Sequence, residues 1–366
     1  HEAELFCDVY DVTPEGNWEG NNILHRTRSD EQESRLLDIP VAELQARLHE
    51  SRQKLCVVRS RRVWPGRDEK ILTAWNALII AAFARAAEVL EKPEYTQAPA
   101  DNAVLRAHAA EKAESYTRAA TRAAEFLLTK MMTPEGRLYR TTFAGAEPKL
   151  NGYLEDYAYL IEALTHLYEA TFDPAWLKHA RRLADVMIEQ FWDEKEAGFF
   201  YTSKDHEQLL ARSKDIHDNA TPSGNSMAAL ALLRLAELTG AQELRQKAEQ
   251  TLMLFHSVMA DLPTAAGQML LALDYYLGPT QEIVVVGAAA HDECRLALRL
   301  LRQPFRPHQV LARRGPDDPD AATAEVLPLL KDRPARGAVT TYICSNFTCQ
   351  APLIGIEPLK NALANP

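Results

Sequence analysis

A unit of two unlike helices recurs about three times along this chain, and it narrows the available folds more than any other feature. The first copy is an apolar helix from Ile71 to Leu90, a second helix from Ala109 to Thr129, and a closing segment TPEGRLYRT, Thr133 to Thr141. The second spans Tyr153 to Glu169 and Pro174 to Gln190 and closes with FWDEKEAGFFYTS, Phe191 to Ser203. The third spans Ser223 to Gly240 and Gln242 to Met259, and Ala265 to Tyr276 reads as the inner helix of a fourth. Leading helices are apolar around most of their circumference; Leu78 to Ala84 leaves no polar face, so such a helix must be surrounded. Following helices are striped, with Trp176, Ala180, Leu183 and Met187 near helical spacing and Lys178, Arg181, Arg182 and Asp185 between them. Wholly apolar helices shielded by striped ones predict a mainly α fold, an (α/α) barrel or a solenoid of pairs. Turn chemistry agrees. Asp173 before Pro174 marks a helix start, Gly240 a left-handed helix end, and Gly136 and Gly198 tight turns into short extended pieces.

After Gly278 the pattern changes. Glu282 to Gly287, His308 to Ala312 and Val339 to Cys344 read as strands, Glu293 to Leu301 and Leu327 to Leu330 as helices, and Gly315 to Asp320 as a Pro, Asp and Gly-rich interruption. The expected organisation is therefore a barrel over residues 1–278 and a small α/β appendage over 279–366. The GAAAH that follows EIVVVG lacks the spaced glycines of a dinucleotide fingerprint, and no cofactor is expected.

Composition removes several functions. The net charge is −10, from 51 acidic against 41 basic side chains, which disfavours a nucleic-acid partner. No run reaches 18 uninterrupted apolar residues, so no membrane span is expected. Cysteines stand at 7, 56, 294, 344 and 349; an odd number in a long chain points to a reducing compartment, the cytoplasm, and Cys344 and Cys349 read as idle thiols, not as a metal or redox pair. The opening HEAELFCDVY is not a signal-peptide pattern. Leu5 to Tyr10 reads as an element already under way, so the chain is expected to be the later part of a longer protein.

Candidate chemistry gathers where the inner helices begin, because unsatisfied N–H groups and positive dipole ends there favour anions and hydroxyls. Asp68, Lys70, Trp75 and Asn76 precede or open the first inner helix; Tyr153, Glu155, Asp156 and Tyr157 open the second; His217, Asp218 and Asn225 open the third. Carboxylates with aromatic platforms suit a sugar, whose C–H faces stack and whose hydroxyls pair with acids and amides. The catalytic candidates are Glu155 or Asp156 facing Asp218, with His217 for proton transfer. Binding candidates are Asp68, Lys70, Trp75, Asn76, Tyr153, Tyr157, Phe199 and Asn225, with Trp18 and Glu19 from the Gly-rich segment Val12 to His25. Asp156, Asn225 and Asp68 are equally readable as helix caps, and His166 as a satisfied core histidine. No metal-ligand pattern stands out.

Six stretches, GNWEGNNILH, DEKILTAWNALIIAA, NGYLEDYAYLIEALTHLYEATFD, FWDEKEAGFF, DNATPSGNSMAALALLRLAELTG and TTYICSNFTCQAP, together resemble the blocks of the spermatogenesis-associated protein 20 and bacterial YyaL-like family, in the family's order and over nearly the whole chain. The resemblance implies a six-hairpin barrel like those of glycosidases and N-acylglucosamine 2-epimerases, incomplete here at its N-terminus, and a preceding thioredoxin-like domain in full-length members. By fold analogy it implies a carbohydrate-binding or carbohydrate-processing barrel. Glycoside hydrolysis by paired carboxylates is one reading. A sugar epimerase using cavity histidines, for which only His217 and His25 stand at suitable positions, is a second. A non-catalytic scaffold or interaction barrel is the third. A small carbohydrate is the expected partner, and oligomeric state is left open.

Overall fold

The computed structural model describes residues 1–90, 103–207, 210–315, 326–345 and 348–364. The chain divides into two compact units, His1–Asp68 and Glu69–Pro366. In the first, α1 (Glu2–Val9), α2 (Asp30–Leu37) and α3 (Val41–Ser60) form a small core of Leu5, Phe6 and Val9 against Leu44 and Leu48. Ser29 and Gln32 cap α2 reciprocally.

The second unit carries the repeat. Inner helices α4 (Thr73–Leu90), α6 (Leu154–Thr171), α8 (Gly224–Thr239) and α11 (Gly267–Leu277) pack one against the next, and outer helices α5 (Ala103–Lys130), α7 (Ala175–Phe191) and α9 (Gln242–Leu254) each cover their own inner partner. The short α10 (His256–Asp261) follows α9 after a break at Phe255, where one continuous helix was expected. This is the (α/α) hairpin arrangement that the alternation of apolar and striped helices predicted. In α6 and α8 nearly every residue is buried, and α7 buries Trp176, Ala180, Leu183 and Met187 on its stripe.

The inner row has open ends. Trp75 and Ile79 on α4 are 62% and 44% exposed and Leu271 on α11 is 59% exposed, because among the described residues each of these helices has an inner neighbour on one side only. The expectation that every leading helix is fully surrounded holds for α6 and α8, not for α4. By length and composition alone α4 could also cross a membrane, although it packs against α5 and α6.

The first two pairs close in the same way. A bridge joins Met132 to Leu138 around Gly136 (φ +90°), and another joins Trp192 to Phe199 around Gly198 (φ +72°). Strands β1 (Ile71–Leu72), β2 (Tyr139–Thr142) and β3 (Lys149–Asn151) form an antiparallel sheet joining the start of α4 to the approach to α6. Gly240 ends α8 in the left-handed conformation, whereas Asp173 caps the start of α7 from one position earlier than expected, its carboxylate accepting the Ala175 N–H at 2.9 Å.

The C-terminal strands are β4 (Gln281–Gly287), β5 (Gln309–Arg314), β6 (Val339–Ser345), β7 (Thr348–Cys349) and β8 (Leu353–Ile354). They form a mixed sheet in which β4 lies between parallel β5 and antiparallel β6. Helices α12 (Asp292–Arg302) and α13 (Ile356–Ala364) pack together beside it. One face of β4 and β5, carrying Val284, Val286, Val310 and Ala312, shares the core of the helical pairs, while Ile283, Val285 and Leu311 pack with α12 and α13. The sheet thus packs on the helical pairs with one face and holds a smaller core with α12 and α13 on the other, and both lie within the unit Glu69–Pro366. The Pro, Asp and Gly-rich stretch lies outside the described residues beyond Gly315. Cys344 and Cys349 are disulfide-bonded, which corrects the reading of idle thiols. The β6–β7 hairpin sets these two residues directly opposite each other, a pairing that their separation alone does not reveal.

Candidate functional site

The starts of the inner helices are held together by side chains that the sequence offered as catalytic. Asp156, in the first turn of α6, is fully buried; its carboxylate accepts the Ala74 N–H of α4 at 2.9 Å, the Tyr153 N–H at 2.8 Å and an Arg140 contact at 3.3 Å. Burial lifts its carboxyl to about 6, against the pull of Arg140 and the Tyr153 N–H. Asp218 repeats the device one pair later. One oxygen accepts the Ser223 N–H at 2.7 Å and the other the Gln268 N–H at 2.8 Å, tying the start of α8 to the start of α11. Asn225 is a third tether: its amide oxygen accepts the Phe199 N–H at 2.8 Å and its nitrogen donates to the Phe199 and Asp215 carbonyls. A helix start leaves N–H groups without partners, and in this molecule neighbouring repeats satisfy one another's.

Several candidates therefore belong to the scaffold. Asp156, Asp218 and Asn225 are committed to backbone groups. Tyr157 is buried with its hydroxyl accepting the Leu138 N–H at 2.8 Å, and Phe199 is buried edge-on against Trp192. Asn76 donates to the Leu72 carbonyl at 2.8 Å, a local contact. Lys70 and Trp75 are exposed near the start of α4, and His217 is exposed in the segment before α8. Trp18, Glu19 and Asp68 belong to the first compact unit; Trp18 is 61% exposed on a loop closed by Asn17 and Asn22.

What remains at this end is a different constellation, centred on Glu155. Its carboxylate meets the Arg140 guanidinium, which also lies 5.0 Å over the Tyr153 ring. Tyr153 stacks on Tyr201 with centroids 4.8 Å apart and planes 12° from parallel, and His206 tilts against it at 5.4 Å. Burial raises the Asp215 carboxyl, the His217 N–H opposes this, and the charges of Glu155 and Asp218 raise it further. Burial and Glu155 push the Tyr201 hydroxyl up to about 12, and burial does the same to Tyr159, whose hydroxyl donates to the Pro222 carbonyl. Glu155 and Asp215 are thus two acids within electrostatic reach of each other, beside a stacked tyrosine pair and one guanidinium. Sequence reasoning found Glu155 and Tyr153 but gave no role to Arg140, Tyr201 or Asp215. Arg140 and Tyr201 stand in the Gly-turn segments closing each pair, and that recurrence was the available signal. Among the described residues no group of three or more His, Cys, Asp or Glu side chains could hold a metal ion.

Fold and site together define the chain as an (α/α) helical-hairpin protein with a cluster of acidic and aromatic side chains at the starts of its inner helices. The chain is similar to spermatogenesis-associated protein 20 of Homo sapiens, 30% identical over 360 residues, covering 96% of this chain and 43% of that protein. The Rattus norvegicus protein of the same name is 31% identical over 95% of this chain and 43% of its own length. An uncharacterised Caenorhabditis elegans protein is 26% identical over 98% of this chain and 48% of its own length. The family resemblance read from the sequence blocks is borne out by these relatives, and the chain spans less than half the length of each. No family model matches. Solved structures similar in part include a cellobiose 2-epimerase from Bacillus thermoamylovorans, with TM-score 0.41, 19% identity, 53% of this chain and 46% of that one. A GH76 α-mannanase from Bacteroides thetaiotaomicron gives TM-score 0.41, 16% identity, 57% and 53%.

Proposed function

We propose that the mouth formed by Glu155, Arg140, Tyr153, Tyr201 and Asp215 binds a carbohydrate, and that Glu155 and Asp215 are the acid pair if the bound sugar is processed. The observation that carries this reading is the division of labour among the acids: Asp156 and Asp218 are committed to backbone N–H groups, whereas Glu155 meets the Arg140 guanidinium, which lies over a stacked aromatic pair, and burial with the Glu155 charge raises the Asp215 carboxyl. A sugar ring offers C–H faces to tyrosine and hydroxyls to carboxylate and guanidinium. Two acids with unlike environments are what glycoside hydrolysis requires, one protonated and one ionised. The epimerase alternative has less support. His217 is exposed, and His25 lies in the first unit, its ring against Asp11 at 3.4 Å.

A thermal-shift panel of mono- and disaccharides tests the reading. A stabilising sugar whose shift is lost in Glu155→Gln supports it, and release of nitrophenol from aryl glycosides separates processing from binding. A flat panel contradicts it.

A further inference from the structure

A second cavity lies toward the opposite ends of the same inner helices. It encloses about 300 Å³ between the last turns of α4, the second half of α6, the middle of α8, α11, and the Pro304 to Gln309 segment that follows α12. Its wall is a buried ionic chain. The His166 Nε2 lies 2.9 Å from Glu162, Arg234 pairs with Glu169 and lies 3.4 Å from Glu162, and the Leu311 N–H donates to Glu169 at 3.1 Å. At the margins Arg85 pairs with Glu88 and His308 with Asp274.

Carboxylates and guanidiniums are equal in number in this wall, but their hydrogen bonds do not close. The cavity is bordered by four carboxylates, Glu88, Glu162, Glu169 and Asp274, and by four guanidiniums, Arg85, Arg234, Arg302 and Arg306. Two imidazoles, His166 and His308, sit beside carboxylates in addition. Each carboxylate already has a cationic partner, while the buried Nε of Arg306 has no hydrogen-bond acceptor. Donors are also left over. The Tyr275 hydroxyl, on a side chain 3% exposed, has no partner, and the His166 Nδ1 is 3.6 Å from Glu169, beyond hydrogen-bond range. Two acceptors are left, the buried Oε2 of Glu162 and the buried Oε1 of Gln309. Burial disfavours a charged His166, but Glu162 outweighs it and keeps the ring protonated more readily than usual. Unpaired buried polar groups of this kind are costly unless something meets them.

We infer that this cavity binds a small hydroxylated oxyanion, a carboxylate or phosphate ester of about sugar-acid size. The anionic end meets Arg306, Tyr275 and His166, and a ligand hydroxyl donates to Glu162. A neutral sugar brings no anion to the buried Arg306 Nε, and an acid without hydroxyls leaves Glu162 facing like charge. The site is separate from the Glu155 mouth and does not depend on that reading.

Calorimetric titration of the whole chain with gluconate, glucose 6-phosphate and neutral glucose tests it. At least one of the two anions is expected to bind, with affinity falling about tenfold or more in Arg306→Gln and in Tyr275→Phe, whereas any heat from glucose is expected to be the same in both variants as in wild type. Tyr275→Phe removes one oxygen and keeps the ring in place, so its loss of binding is not a loss of fold. Gluconate binding with glucose 6-phosphate excluded identifies a carboxylate site, and the reverse a phosphate site. Glu155→Gln should leave the affinity unchanged. The inference is overturned if neither anion binds below about 10 mM, if the cavity variants weaken glucose binding as much as anion binding, if both cavity variants bind the anions like wild type, or if Glu155→Gln abolishes anion binding.

Discussion

The Asp156 carboxylate on α6 accepts the N–H of Ala74, 82 residues earlier on α4, at 2.9 Å. One side chain so satisfies the starts of two inner helices, because it also takes the Tyr153 N–H. Asp156→Ala should destabilise the chain by about 2–4 kcal/mol, the cost of losing charge-assisted bonds and stranding buried N–H groups. Asp156→Asn, which keeps one acceptor, should cost less. Urea midpoints measure both, and a change under about 0.5 kcal/mol for the alanine variant would return Asp156 to the list of catalytic candidates.

Glu169 and Arg234 form the centre of the buried ionic chain. Burial opposes ionisation of Glu169, but Arg234 and His166 outweigh it and hold its carboxyl well below the usual range. Removing one partner leaves the other charge buried and unpaired, so Glu169→Gln should cost about 3–5 kcal/mol. A double replacement, Glu169→Leu with Arg234→Met, should cost less than the single one. Equal or additive losses in the double-mutant cycle would show that the two charges do not compensate each other.

Stability should fall as pH rises above about 6.5. The folded state raises the pKa of His166, which faces Glu162, Glu169 and Arg234. A raised histidine contributes fully below its unfolded value of 6.5 and loses that contribution as pH climbs through the folded one. Asp156, lifted from 3.8 to about 6, acts in the same direction at lower pH and the buried Cys294 thiol at higher pH, so the comparison with a His166 variant separates the histidine. The decline in denaturation midpoint above about pH 6.5 should be smaller in His166→Gln; an unchanged decline would assign it to other groups.

The repeat was legible because burial on all sides and burial on one side leave different hydrophobic patterns, and α6 with α7 bears both out residue by residue. Helix starts were legible too, but not their use. Asp156 and Glu155 are adjacent in sequence and alike in chemistry; only the turn of α6 decides that one meets the Ala74 N–H and the other Arg140. Asp218 has the same history, since its second partner, Gln268, arrives 50 residues later. His166 was read as a satisfied core residue, whereas it belongs to an ionic chain whose members come from α6, α8 and the C-terminal segment, beyond the reach of spacing within one helix. The sheet strands look like a separate α/β motif until their inner face is seen in the helical core.

The central claim is that the Glu155 mouth takes a sugar, and isothermal titration of that sugar against wild type, Glu155→Gln and Tyr201→Ala tests it most directly. The account predicts measurable binding to wild type, with affinity lowered about tenfold or more by each variant while the urea midpoints stay within about 1 kcal/mol of wild type. Saturable sugar binding that survives both substitutions, or no heat from any sugar, contradicts it.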